Sequence, residues 1–158
     1  MAFAVLGRLA SEPRVESAMM WNTRWMTDRD APNSPFYALG PKNELTPTGR
    51  ALALWGAFAQ PSMVAVEGHD AFAARSDDGT RMTVWIMNPT TSARVVRLSI
   101  QGGNSLSRAR RFRFWGRDDK DRKPQWKELA VSLLQGDACV EALPPVSVTV
   151  LALEGERK

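Results

Sequence analysis

The chain has 158 residues, a net charge of +4 and 44% hydrophobic residues. That length suits one compact domain, or one domain with an appendage, and that apolar share argues against disorder. One Cys and one His exclude an intramolecular disulfide framework and a structural zinc site built from several Cys and His ligands.

The N-terminal run MAFAVLGRLASEPR is too short and too soon charged for a secretory signal, whose cationic region should come first. No apolar run approaches the roughly 18–20 residues of a membrane span, so no membrane partner is expected. The lone Cys139 fits a reducing, cytoplasmic setting. Residues 2–11 have helical apolar spacing at Phe3, Leu6, Leu9 and Ala10, and Pro13 stops that helix. Arg14–Trp21 then reads as one strand, apolar on both faces at its end, as in a sheet covered on both sides. Thr27–Asn43 is a loop rich in Pro, Asp, Asn and Gly, and loops of that length are usually functional or disordered.

A second helix is expected over residues 46–60. Thr46 can cap it, Pro47 suits its first position, and Pro61 ends it. Leu52, Trp55 and Phe58 or Ala59 fall on one face, with Leu54 beside them, and this face suits packing against a β domain. From Ser62 the grammar changes to short strands at Met63–Glu67, Phe72–Ser76, Met82–Asn88, Arg94–Gln101, Arg108–Trp115, Trp126–Ala130 (extending over Val131–Leu134), Ala138–Leu143 and Val146–Leu153. Turn-like connectors lie at 77–79, 88–91, 101–104, 135–137 and 144–145. The fold class is therefore mainly β: an antiparallel sandwich of seven or eight strands, preceded by a helix, a strand, a long loop and a helix. Residues 1–61 form the leading part and 62–158 the sandwich.

Much of the basicity sits in Arg108–Lys127, with nine Arg or Lys against three Asp. Basic residues interleaved with Phe112, Phe114, Trp115 and Trp126 could stack on and neutralise a single-stranded nucleic acid. The simpler reading prevails: a half-buried strand in which Phe112 and Phe114 alternate with a solvated face of Arg111 and Arg113, then a charged hairpin tip.

The runs SAMMWNTRW (17–25) and NSPFYALGPKNELTPTGRALALWGAF (33–58), followed by a β body ending LPPVSVTVLALE (143–154), resemble the C-terminal end of a clan A glycoside hydrolase. The similarity is to xylosidase-like and arabinofuranosidase-like members and covers nearly the whole chain. Its most specific parts are W-N-x-R-W and P-x-G-x-A-L-x-x-W-G. The resemblance implies a (β/α)8 barrel carrying the chemistry and a β-sandwich packed on its side. Residues 2–11 would match the seventh barrel helix, 15–21 the eighth strand, 46–60 the eighth helix and 62–155 the sandwich. The strands bearing the family's acid/base and nucleophile carboxylates would lie upstream of Met1, so the catalytic Glu pair matches no position here. The function so implied is an accessory, carbohydrate-related portion of a glycoside hydrolase. Trp21 would stand at the barrel mouth, where an aromatic ring packs on a sugar face, with Asn22, Arg24 and Trp25 bordering the same pocket. Phe36 and Tyr37 are read as loop anchors.

Two alternatives stay open: a small stand-alone glycosidase or carbohydrate-binding protein, and a basic polyanion or nucleic-acid binder. For autonomous hydrolysis the candidate carboxylates are Glu67 and Asp70, since glycosidase chemistry needs two carboxyl groups roughly 5–10 Å apart. His69 reads as a turn residue, with no G-x-S-x-G elbow to serve it. Asp118, Asp119 and Asp121 lack the spacing of a calcium loop and read as a solvated hairpin tip. No cofactor or metal is expected. The candidate partners are a glycan, and either an upstream barrel or a second copy, because strand 15–21 without barrel neighbours would offer open edges through residues 1–25.

Overall fold

The computed structural model describes residues 2–18, 23–24, 37–68, 70–102, 106–118, 121 and 123–155. The chain divides into two compact units, Met1–Ala59 and Gln60–Lys158.

In the first unit, α1 spans Ala2–Ser11 and α2 spans Pro47–Phe58. Both stand where apolar spacing and capping place them. Thr46 has extended backbone and its hydroxyl accepts the Gly49 N–H at 3.1 Å, satisfying one of the orphan donors at the helix start. The same hydroxyl donates to the Tyr37 carbonyl. Gly49 follows from that crowding, because a Cβ there would lie 1.9 Å from the Ala38 carbonyl oxygen. Ala51 and Leu54 are the buried apolar positions of α2. Trp55 stacks on Phe3 of α1 with ring centroids 4.9 Å apart, and its indole N–H donates to the Phe3 carbonyl at 3.2 Å.

One expected element differs. Over Arg14–Ala18, the described part of the strand expected at Arg14–Trp21, no strand forms. The Val15 N–H bonds the Glu12 carbonyl at 2.9 Å, and the Arg14 guanidinium folds back on the Glu12 carboxylate at 2.6 Å. The chain thus turns at Pro13, and the segment finds no ladder to join. The open strand edges that suggested association through residues 1–25 are absent over this stretch. Of the loop expected at Thr27–Asn43, residues 27–36 lie outside the described residues.

The second unit carries eight strands: β1 (Ser62–Val64), β2 (Ala71–Arg75), β3 (Arg81–Asn88), β4 (Arg94–Ser99), β5 (Leu106–Trp115), β6 (Gln125–Leu133), β7 (Ala138–Leu143) and β8 (Ser147–Gly155). Six form one sheet in the order β1-β2-β3-β8-β5-β6, and β4 pairs with β7 in a second, all antiparallel. The mainly β sandwich expected from strand spacing is therefore what folds. β1 stops earlier than expected, which leaves Glu67 in the connection to β2. The turn glycines Gly79 and Gly136 take φ of 69° and 68°, the left-handed region that side-chain-bearing residues avoid.

Register assigns each residue of the large sheet to a face. Ala73, Val84, Leu151 and Arg111 are successive partners across β2, β3, β8 and β5 on one face. Their apolar members pack with Cys139 and Leu143 of β7 and with Ile100 in the core between the sheets. On the other face, Phe72, Trp85, Val150 and Phe112 form the neighbouring row, and all four are buried.

Asn88 ties two turns at one end of the sandwich. It is fully buried, and its amide donates to the carbonyls of Ser92 at 2.8 Å, Leu143 at 3.3 Å and Pro144 at 2.8 Å. Its side-chain oxygen accepts from the Thr90 hydroxyl at 2.7 Å and the Thr90 N–H at 3.2 Å. Asn88→Ala strands several buried partners at once. It is expected to lower the unfolding free energy by about 2 kcal/mol or more, read as a lower urea midpoint at unchanged slope.

Candidate functional site

Of the residues expected to border a sugar pocket, Trp21, Asn22 and Trp25 lie outside the described residues, as do Phe36 and His69. Arg24 is exposed and forms a parallel bridge with Leu39. The Leu39 N–H bonds the Thr23 carbonyl at 2.9 Å, and the Arg24 guanidinium donates to the Pro41 carbonyl at 3.3 Å. The segment 37–46 returns on itself, with the Gly40 N–H on the Glu44 carbonyl at 2.8 Å and the Thr46 N–H on the Ala38 carbonyl at 3.1 Å. Arg24 is thereby tied to the chain that leads into the cap of α2.

The candidate pair Glu67 and Asp70 has unequal surroundings. Glu67 is exposed. Asp70 accepts the Arg94 guanidinium at 2.9 Å, and its backbone carbonyl accepts the Met87 N–H at 2.7 Å. Asp70 thus binds the start of β4 and the end of β3.

At the hairpin between β5 and β6, the Asp121 carboxylate accepts the backbone N–H groups of Arg117 and Lys123, each at 2.9 Å. Those two bonds hold its pKa below the usual carboxylate value. Asp121 closes the turn, while Asp119 lies outside the described residues. Among the described residues, no three His, Cys, Asp or Glu side chains gather as a metal site.

The densest charge cluster was not legible in the sequence. Arg111 and Arg113 do not form a solvated face. They turn toward β7, where Glu141 is 1% exposed. Arg111 donates to the Glu141 carboxylate at 2.7 Å, and Arg113 stands 3.8 Å from the same oxygen. Arg113 also donates to the Ala142 carbonyl at 2.7 Å and the Thr149 hydroxyl at 3.3 Å. Burial presses the Arg113 guanidinium below its ordinary pKa, against the opposing pull of Glu141. The Arg111 Nε is buried without a hydrogen-bond partner among the described residues. The signal was in ACVEAL itself, where Glu141 shares parity with the inward positions Cys139 and Leu143. The cluster clamps the small sheet onto the large one and buries a carboxylate between two cations.

No protein-family model matches the chain. No curated protein sequence matches it. Solved structures do. The chain is similar to an α-L-arabinofuranosidase from Thermotoga maritima in complex with arabinose, at 16% identity and a TM-score of 0.61, over 75% of this chain and 32% of that one. It is similar to the family 51 α-L-arabinofuranosidase of Thermotoga petrophila, at 16% identity and TM-score 0.57, over 75% and 32%. A family 30 endoxylanase from Clostridium papyrosolvens aligns at 15% identity and TM-score 0.55, over 74% and 30%. The chain spans about a third of the length of each of these structures. At these identities the likeness is one of fold, coarsely that of glycoside hydrolases.

Glu141→Gln leaves two guanidinium groups facing an uncharged amide. It is expected to cost about 3 kcal/mol or more in chemical denaturation, and replacing Arg111, Arg113 and Glu141 together by apolar residues should recover much of that loss. Cys139 supplies a pH test. Burial first, and Glu141 second, push its thiol pKa up. A pKa raised on folding stabilises below the unfolded value, and that contribution disappears as pH rises through the folded value. Stability should therefore decline above the ordinary thiol value of about 8.5, more steeply in the wild type than in Cys139→Ala. Urea midpoints of the two proteins across the alkaline range measure the difference.

Proposed function

We propose that this chain is the accessory β-sandwich portion of a glycoside hydrolase, joined to the last β/α elements of a catalytic barrel. The observation that carries this reading is the extent of the structural likeness. Three quarters of the chain aligns with the arabinofuranosidases, which is more than Gln60–Lys158 accounts for, so the likeness takes in part of the first unit as well. A sandwich similar to many unrelated β domains would match over the second unit alone. In this reading the sandwich braces a barrel that holds the catalytic carboxylates. Trp21, Asn22, Arg24 and Trp25 border its sugar pocket.

Nothing favours the autonomous glycosidase over this reading. Asp70 already has a guanidinium on its carboxylate, whereas a general acid needs a proton there and a nucleophile needs an open approach. Fold likeness by itself is weak evidence for chemistry, so the test is direct.

The DNA upstream of codon 1 should encode, in frame, a (β/α) barrel with a Glu at the end of a late strand, and the protein made from both should hydrolyse aryl arabinofuranosides or xylosides. The 158-residue chain alone should not. An in-frame stop immediately upstream, together with hydrolysis by the chain that disappears in Glu67→Gln or Asp70→Asn, would replace this reading with the autonomous one.

A further inference from the structure

Two sheets of unequal width leave one face of β6 without cover. Arg111, Arg113 and Trp115 alternate along β5, and Leu129, Lys127 and Gln125 stand directly opposite them on β6, so these side chains share a face. The reach of Arg111 and Arg113 to Glu141 fixes that face as the one toward β7. The large sheet has six strands, and the sheet of β4 and β7 has two. Gln125 and Lys127 are exposed, so the smaller sheet does not extend over this part of β6. Trp115 is half-buried, and among the described residues no other aromatic ring contacts it. The result is a shelf, with Trp115 opposite Gln125 in one row and Arg113 opposite Lys127 in the next.

The charges on this shelf do not balance. Three cations, Arg111, Arg113 and Lys127, stand on the face, and one carboxylate, that of the buried Glu141, comes to it from β7. Arg113 and Lys127 are directly opposite, and like charges so placed across a strand pair are destabilising. Lys127 has no ion-pair partner among the described residues. An anion held between these two cations offsets their repulsion. The neighbouring row says what else such a ligand carries. An indole packs on an apolar face of C–H groups. The Gln125 amide both donates and accepts hydrogen bonds, as the hydroxyls of a sugar require. The two rows lie about 7 Å apart along the strands, a span that one sugar ring with its carboxylate covers. A phosphate strand needs cations along its path. The next one on β5, Arg111, already holds Glu141 at 2.7 Å.

We propose that Arg113, Lys127, Trp115 and Gln125 form a binding shelf for a uronate-bearing glycan, with a sugar carboxylate between Arg113 and Lys127 and the sugar ring on Trp115. The choice of a glycan rests on the reading of the chain as part of a glycoside hydrolase, whereas the shelf and its preference for an anion rest on strand register, exposure and charge.

Affinity electrophoresis of the 158-residue chain tests it, through gels containing polygalacturonate or glucuronoxylan, each intact or with its carboxylates reduced, or single-stranded DNA. Retention by at least one intact polymer is expected, and reduction of that polymer's carboxylates should abolish it. Lys127→Gln should weaken retention roughly two- to fivefold, the scale of one exposed charge pair. Trp115→Ala should weaken it roughly tenfold, the scale of one lost stacking contact, and Gln125→Ala should weaken it as well. Arg97→Gln removes an exposed cation from β4 and should leave retention unchanged. Thermal melts show which variants fold, and the exposed positions 125 and 127 carry the test if Trp115→Ala does not. No retention by either intact polymer, or retention that survives carboxylate reduction, overturns the shelf, while the upstream-barrel test reads out separately. Equal weakening in Arg97→Gln and Lys127→Gln overturns it in favour of net charge alone. Tighter retention by DNA, lost in the Lys127 and Trp115 variants, overturns it in favour of a nucleic-acid surface.

Discussion

Strand β8 is the constraint on which the second unit depends. It lies between β3 and β5 in the large sheet, and six of its nine residues, Ser147–Leu151 and Leu153, are buried. A strand buried on both faces has no polar side to reveal a slip, so its register must be held by its neighbours. Trp85 opposite Val150 and Phe112 opposite Val150 from the other side set one face, while Val84 and Arg111 flank Leu151 on the other. Shifting β8 by one residue would exchange these two sets. Burial of the long-range partners and the order β3-β8-β5 thus require each other.

The second constraint is electrostatic. β5 carries Arg108, Arg110, Arg111 and Arg113 within six residues, a density that would repel itself if left uncompensated. The fold divides them by strand parity. Arg111 and Arg113 go inward to a single buried carboxylate, and Arg110 goes to the other face and to Glu128. The inward arrangement is costly to desolvate and is sustained by hydrogen bonds to Ala142 and Thr149 as well as by charge. The outward one is half solvated and contributes little stability. One basic strand therefore serves two ends, joining the sheets on one face and packing Arg110 over the Phe112 ring on the other.

These placements change the weight of the functional alternatives. The patch that read as a polyanion stripe has its central guanidinium groups engaged by carboxylates. Of the acidic residues that read as a candidate catalytic pair or a hairpin tip, Asp70 links to β4 and Asp121 closes the turn under the hairpin tip.

The residues in order along the chain determined what is local. Thr46, Pro47 and Pro61 bounded a helix because capping and the missing proline N–H act within a few residues, and the alternation in ACVEAL and SVTVLAL set strands because side-chain parity is local as well. Turn glycines marked the hairpins for the same reason. Sequence-local reasoning failed where a partner distant in the chain decided the outcome. Arg14–Ala18 had strand character, but a strand exists only with a neighbour to pair with. Arg111 and Arg113 looked solvated because Glu141, thirty residues away, becomes their neighbour only when β7 crosses the large sheet. Trp126 looked like any aromatic of a strand. Only the tertiary structure decided that it would end on an edge, flat on Phe112 and open to solvent, because exposure is a property of the packed molecule and not of the residue.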